Sequence, residues 1–359
     1  MNTSSVPRPL TGPVLVVGCG LMGTSTGLAL RRKGVEVYLA DVNAAYVEVA
    51  ASRGAGSSER PTDVALVVVA VPPDHVGEGV VAALRDWREA VVTDLSSIKA
   101  APLATVRAAD VDASRYGGSH PMAGSERTGP VAASEQLFDG RAWAVTPTDE
   151  ADAHAVEQVR ALAVTCGATV VELGPDEHDQ AVARVSHLPH VMAALAAAQL
   201  GGGPEDHLAL SGQGLRDVTR IAGGDPRLWR QILVGNASHL RTMLQGVRAD
   251  IDTMLAGLDG SANEVVGVLE RGVHGTTLIP GKHGSAEPVW GTIYVQVPDQ
   301  PGELARLFGD AGESGVNIED LRIDHDPARP VGLVEVDVAR DNVDVLVDAL
   351  GRRGWRAHR

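Results

Sequence analysis

Val14-Leu15-Val16-Val17-Gly18-Cys19-Gly20-Leu21-Met22-Gly23 is an apolar run that empties into a glycine-rich turn. Four successive apolar residues read as a strand buried on both faces, as in a parallel sheet. Thr24 to Lys33 then reads as a helix stopped by Gly34. Strand, G-x-G-x-x-G and helix in that order predict a dinucleotide site. The glycines permit the tight turn and the close approach of a pyrophosphate, which would face the unpaired amides of the helix N-terminus.

Working outward, Val35 to Ala40 is a second strand, and Asp41 ends it 18 residues after Gly23. An acid there suits a ribose 2′-hydroxyl and repels a 2′-phosphate, which favours NAD over NADP. The same side chain is also placed to cap a helix from Ala44. Val64 to Val71 is a third buried strand, ending at Pro72-Pro73, a pair that continues neither helix nor ladder. A fourth, from Val91, turns polar over Asp94 to Lys99, with the next helix beginning near Lys99. Ser97 falls on the sheet rim where a nicotinamide would lie, or simply caps that helix. Candidate cofactor contacts are therefore Gly18, Gly20, Leu21, Met22, Gly23, Asp41, Val71 and Ser97.

At the same rim comes Tyr116-Gly117-Gly118-Ser119-His120-Pro121-Met122-Ala123-Gly124-Ser125-Glu126. It reads as a loop whose small residues let a ligand approach the backbone. Its histidine is either a proton acceptor near neutral pH or a solvated turn residue. Arg141 to Thr146 and Ala168 to Leu173 read as strands around a helix from Asp152 to Thr165. The alternation predicts an α/β, Rossmann-type doubly wound domain over residues 1–174.

From 175 to 283 strand patterns stop and Ala, Leu, Val and Met recur at helical spacing, predicting an all-helical domain. A helix starting at Pro175 carries His178, Asp179, Ser186, His187 and His190, with Pro189 marking a bend. The histidines lack a companion Glu or Cys cluster, so no metal is expected; His187 reads as a packing residue and His190 as the site candidate. Arg220 offers a planar fork to a carboxylate, with Asp217 three residues before it to aim it. One long helix from Asp225-Pro226 to Leu255 shows more apolar face than one domain needs, which predicts a homodimer.

Residues 274–288, rich in Gly and Pro, read as a linker. Beyond them, 288–359 shows period-two strands at Ile293–Val297 and Val331–Val338, another beginning at Gly315–Ile318, and helices from Glu303 to Gly312 and from Asp341 to Arg353. With a last strand at Trp355, this is an α+β ferredoxin-like order.

The 359 residues carry a net charge of −15, which excludes a general nucleic-acid or anionic-membrane binder. Two cysteines make neither a disulfide framework nor a zinc cluster. No apolar run reaches membrane-spanning length and Met1 to Pro9 has no apolar signal core, so a cytoplasmic protein is expected.

Taken together, Asp94–Lys99, His120–Glu126, His178-Asp179, Ser186–His190 and Asp217–Trp229 resemble the prephenate dehydrogenase family with a C-terminal ACT domain, across essentially the whole chain. The resemblance implies NAD-dependent oxidative decarboxylation of prephenate in tyrosine biosynthesis. His120 then matches the histidine that takes the ring-hydroxyl proton, and Ser97 a serine bonded at that hydroxyl. Arg220 matches the arginine on a substrate carboxylate. His190, Glu126, Asp217 and Trp229 match pocket residues, and His178 a supporting histidine. The ACT segment implies regulation by an amino acid, plausibly tyrosine, with Asn317 near that interface. The rival substrate is arogenate. A non-catalytic NAD(H)-binding redox sensor and a generic hydroxyacid dehydrogenase fit less well, the latter because such enzymes usually use a lysine where His120 stands.

Overall fold

The computed structural model describes residues 10, 12–124, 127–260, 262–279, 290–325 and 331–359. Glu126, Ser125 and most of the 274–288 linker lie outside the described residues. The chain forms two compact units, the first ending at Ala249 and the second beginning at Asp250.

The first unit opens with β1 (Val14–Val17), α1 (Leu21–Arg32), β2 (Val37–Ala40), α2 (Ala44–Ser52), β3 (Leu66–Val69), α3 (Pro73–Asp86), β4 (Val91–Asp94), α4 (Ala100–Ala108) and β5 (Tyr116–Pro121). It continues through β6 (Ala142–Thr146), α5 (Ala153–Thr165) and β7 (Thr169–Glu172). The seven strands lie in the order β2-β1-β3-β4-β5-β6-β7. Val14, Val16, Leu66 and Val68 belong to the core on one face of the sheet, and Leu15, Val67 and Val69 to the core on the other. The continuous apolar runs thus mark strands covered by helices on both sides.

Four details depart from expectation. The Tyr116–Pro121 stretch is no loop but a fully buried strand. Its glycines serve packing rather than ligand approach: a Cβ on Gly117 would meet Val159 of α5 at 3.0 Å, and one on Gly118 would meet Thr146 Oγ1 at 2.6 Å. β6 runs antiparallel to β5: among the described residues the segment between them holds only the 3₁₀ turn Pro130–Ala132 and no α-helix of the kind that usually carries a parallel return. Pro73 opens α3 instead of ending the structure there, since the first helical turn has no use for its missing N–H. Finally, α1 begins at Leu21, directly on the glycine turn.

The unit then becomes helical: α6 (Pro175–Val182), a π-helical turn (Ala183–His187), α7 (Leu188–Ala198), α8 (Glu205–Leu208), α9 (Gln213–Thr219), a 3₁₀ turn (Arg220–Gly223), α10 (Pro226–Gly235) and α11 (Ala237–Leu258). The π turn is the bend expected at Pro189. It widens the helix where the proline ring would strike the carbonyl four residues earlier. The long helix from Pro226 is interrupted at Asn236, whose side chain is buried and used elsewhere.

The second unit holds the end of α11, then α12 (Ala262–Thr277), β8 (Trp290–Pro298), α13 (Glu303–Glu313), β9 (Asp320–His325), β10 (Val331–Ala339), α14 (Val343–Arg352) and β11 (Arg356–His358). The helix α12 thus runs into the stretch read as linker. The sheet order β11-β8-β10-β9, all antiparallel, is the ferredoxin-like split βαββαβ arrangement. Ile293, Val295, Val334, Val336 and Val338 meet Leu307 and Leu346 of the helices in its core. Its second strand starts at Asp320, two residues after Ile318. No described helix is long and apolar enough to cross a membrane.

Candidate active site

The glycine turn sits at the carboxyl end of β1. Gly18 has φ +103°, and a Cβ there would fall 2.4 Å from the Ala70 carbonyl oxygen; one on Gly23 would fall 1.9 Å from that of Gly18. A Cβ on Gly20 would meet nothing within 4 Å. Gly18 therefore packs the turn against the end of the β3 run, Gly23 packs α1 against the turn, and Gly20 leaves open space in front of α1, whose N-terminus carries no side-chain cap and no acid in its first turn. Those amides and that space suit a pyrophosphate. Leu21 and Met22 form the first turn beside it, and Val71 ends the neighbouring strand run; all three are half-buried.

Asp41 accepts from the amide of Cys19 at 2.6 Å and from that of Asn43 at 2.7 Å. It is not the cap of α2, a task Asn43 performs by accepting from Ala45. Asp41 instead binds the glycine turn to the end of β2. Burial, with the Asp41 carboxylate adding to it, pushes the Cys19 thiol up to about 12, so that thiol stays protonated.

Three strands along the sheet from β1, His120 projects from β5 and is 8% exposed. Its Nδ1 lies 3.0 Å from Nε2 of His178, and Nδ1 of His178 lies 2.9 Å from Oδ1 of Asp179. The same Asp179 accepts from the amides of Lys99 (2.8 Å) and Ala100 (2.9 Å), capping α4 from helix α6. Burial pushes the Asp179 carboxyl up, but the bonds from His178, Ala100 and Lys99 outweigh it and hold it below the usual range. An ionised carboxylate only accepts, so His178 carries its proton on Nδ1 and presents Nε2 as an acceptor. His120 then carries its proton on Nδ1, which leaves Nε2 with a free lone pair. Burial, then His178, Lys99 and His187, push the His120 imidazole well below its ordinary value, so it is neutral at pH 7. The result is a neutral imidazole with one defined tautomer and a free Nε2 lone pair, which suits proton acceptance.

Beneath it, Lys99 is 1% exposed and its ammonium pairs with Asp94 Oδ1 and donates to the Ser119 carbonyl at 2.6 Å. Tyr116 donates to the other Asp94 oxygen at 2.7 Å. Ser97 lies half-buried in the turn between β4 and α4, and its hydroxyl has no partner among the described residues. It does not cap α4, because Asp179 does.

The helical part contributes a second cluster. His190 stacks on Trp229, with ring centroids 3.5 Å apart and planes 9° from parallel. His187, 1% exposed, meets Trp229 edge to face at 6.3 Å. Asn236 donates to the Asp179 carbonyl at 2.7 Å and lies 3.2 Å from His187 Nδ1, which accounts for the helix break at that residue. Burial lowers His187 to about 4 and also lowers His190, against which the Ile221 backbone bond works. The backbone of Ile221 adjoins Arg220, so the Arg220 turn lies against α7. Arg220 itself is exposed and has no ion pair among the described residues. Asp217 does not aim it: its carboxylate accepts from Gln213, one turn earlier, at 2.9 Å. In the C-terminal sheet unit, Asn317 is exposed and donates to Glu319 at 2.7 Å.

The structure thus brings His120 and His178 into one hydrogen-bond chain, and His190 and Trp229 into one stack. Asp179, Lys99, Asp94 and Asn236 were not among the predicted site residues. For Asp179 the available signal was its place beside His178 opposite a helix start. For Asp94 and Lys99 it was the Asp94–Lys99 stretch that carries the family resemblance; for Asn236 there was none.

Comparison with known proteins matches residues 26–172 to the prephenate dehydrogenase nucleotide-binding domain and 174–269 to the prephenate dehydrogenase dimerization domain. A probable prephenate dehydrogenase of Streptomyces niveus is 34% identical over 357 residues, covering 96% of this chain and 99% of the relative. Among solved structures, prephenate dehydrogenase of Aquifex aeolicus, determined with hydroxyphenyl propionate and NAD+, aligns with TM-score 0.67 and 26% identity over 75% of this chain and 98% of that one. Arogenate dehydrogenase of Synechocystis aligns with TM-score 0.61 and 25% identity over 74% and 98%.

Proposed function

The chain belongs to the prephenate dehydrogenase family, and from that premise we propose that it converts prephenate to 4-hydroxyphenylpyruvate with the base, clamp and pocket residues assigned below. It is an NAD-dependent dehydrogenase. The open space at Gly20, the uncapped amides of α1 and the acid at Asp41 fit that cofactor, with Leu21, Met22, Val71 and Ser97 along its path. NAD bound there supplies the hydride acceptor.

The observation that carries the assignment is the Asp179–His178–His120 chain. Nε2 of His120 takes the proton of the ring hydroxyl as hydride leaves the same carbon. His120 passes its Nδ1 proton toward His178, so the positive charge comes to rest beside the Asp179 carboxylate. Ser97 bonds at the reacting hydroxyl, its own hydroxyl being uncommitted. Arg220 takes a substrate carboxylate in its fork, and the His190–Trp229 stack encloses the ring, with Asp217 as a further pocket residue and Glu126 assigned to the pocket on the family resemblance alone. Loss of carbon dioxide then forms the aromatic ring, a step that needs no further acid.

Three domains, 1–174, 175–283 and 288–359, divide the work. The exposed Ile251, Leu255 and Leu258 of α11 and Val266, Leu269 and Val273 of α12 support a homodimer through the helical part. The βαββαβ unit supports an ACT-type domain that binds an amino-acid effector, tyrosine on product chemistry, with Asn317 at that site. Arogenate is the second reading, favoured by the Synechocystis likeness alone.

Initial rates with prephenate and arogenate, each with NAD and NADP and with added tyrosine, test all of this. Prephenate with NAD is expected to be fastest; preference for NADP would reject the role of Asp41, and preference for arogenate the substrate. His120→Asn is expected to keep NAD affinity and lose at least ~100-fold in turnover. Near-normal turnover would remove His120 as the base.

A further inference from the structure

Lys99 stands out as a buried charge that the mechanism above does not use. Its side chain is enclosed, it touches Asp94 and the Ser119 carbonyl, and it points at no open space. A buried ammonium costs several kcal/mol unless partners repay it, and an apolar side chain of equal volume would often serve stability as well. We propose that Lys99 is a positioning residue for His120: its ammonium holds the backbone of Ser119, immediately before the histidine, and its own amide holds the Asp179 carboxylate at the far end of the same hydrogen-bond chain.

One residue thereby spans both ends of the chain. Ser119 is fixed further by donating its hydroxyl to the Asp94 carbonyl at 2.8 Å and accepting from Thr93 at 3.1 Å. Asp94 in turn is held by Tyr116 and by the amide of Ser96 at 2.8 Å, so the ammonium has a rigid seat. The Lys99 charge also acts on His120 directly. It disfavours the imidazolium and keeps the histidine empty of its second proton until substrate arrives. The other charged or titratable groups around His120 are His178 and Asp179 from α6, His187 from the π turn, and the Asp94–Tyr116 pair from β4 and β5. β6 contributes none, and α5 meets β5 through Val159.

The inference rests on His120 being the proton acceptor, and the test separates the two. Full-length Lys99→Gln, Lys99→Met and Lys99→Arg are compared with wild type by kcat and KM across pH, with prephenate and NAD. Loss of the charge is expected to lower kcat at least ~10-fold with KM little changed. It should also move the acid limb of kcat/KM up by about one pH unit. Lys99→Arg, which keeps the charge, should return the limb to its wild-type position. Asp94→Asn, which leaves the ammonium less neutralised, should move it down, and decides the matter if neither neutral variant folds. Loosened packing alone would lower stability and kcat without moving the limb in opposite directions at the two members of one ion pair. An unmoved limb in these variants overturns the role of Lys99. If His120→Asn loses turnover while the limb stays in place, only Lys99 falls; if His120→Asn keeps turnover, the base itself was misassigned.

Discussion

Replacing Asp179 by Asn tests the hydrogen-bond chain at its anchor. The carboxylate accepts three hydrogen bonds from two elements: the His178 ring at 2.9 Å and the Lys99 and Ala100 amides at 2.8 and 2.9 Å. A hydrogen bond to a charged group contributes about 1.5–3 kcal/mol. If that stabilisation is needed when the proton reaches the histidine pair, its loss lowers kcat by roughly 10- to 150-fold, at ~1.4 kcal/mol per factor of ten. An Asn that turns its NH2 toward His178 does more harm. His178 would then carry its proton on Nε2, and His120 would be left with Nε2 protonated and unable to accept. Folding also suffers, because the α4 cap is weakened by about 1 kcal/mol. The sign in pH follows from the lowered Asp179 value: its contribution is full above the ordinary carboxylate range and is lost as pH falls through the folded value. The assay is NADH formation under saturating prephenate, with thermal melting and NAD affinity as controls. A folded Asp179→Asn variant with kcat within threefold of wild type would refute the reasoning.

Two further outcomes follow from the same geometry. Arg220→Ala should raise KM for prephenate at least ~10-fold with a smaller effect on kcat, because an exposed fork lost from the substrate carboxylate weakens binding first; an unchanged KM would reject the clamp. His187, lowered to about 4 by burial, is neutral in the folded protein and takes a proton on unfolding. Its share of stability, about 3 kcal/mol at most, is therefore full above pH ~6.5 and lost as pH falls toward ~4. Melting temperature followed over that interval should drop, and His187→Gln should flatten the dependence; an unaltered slope would place the titration elsewhere.

Much of this protein was legible along the chain. The glycine turn after β1, the acid ending β2 and the switch from continuous apolar strands to helical spacing are local signals. A strand buried on both faces must be apolar throughout, and a turn against a phosphate must lack Cβ atoms, whatever the remaining residues do. Hence the nucleotide-binding half, the helical middle and the split βαββαβ end were readable. Misreadings occurred where local chemistry and tertiary demand conflict. Gly117-Gly118-Ser119-His120-Pro121 has the composition of a turn, yet it is a strand whose small residues admit Val159 and Thr146. Asp217 has the spacing to aim Arg220, yet it pairs with Gln213 on its own helix.

The sequence by itself determined which segments bury which faces, because burial pattern and backbone conformation are decided by neighbours a few residues apart. Only the tertiary structure decided what His120 is. The side chain beside it comes from residue 178, the carboxylate that sets both tautomers also caps a helix beginning at residue 100, and the ammonium holding its backbone is at residue 99. Proton affinity depends on distance and burial in space, and neither is written in the order of the residues.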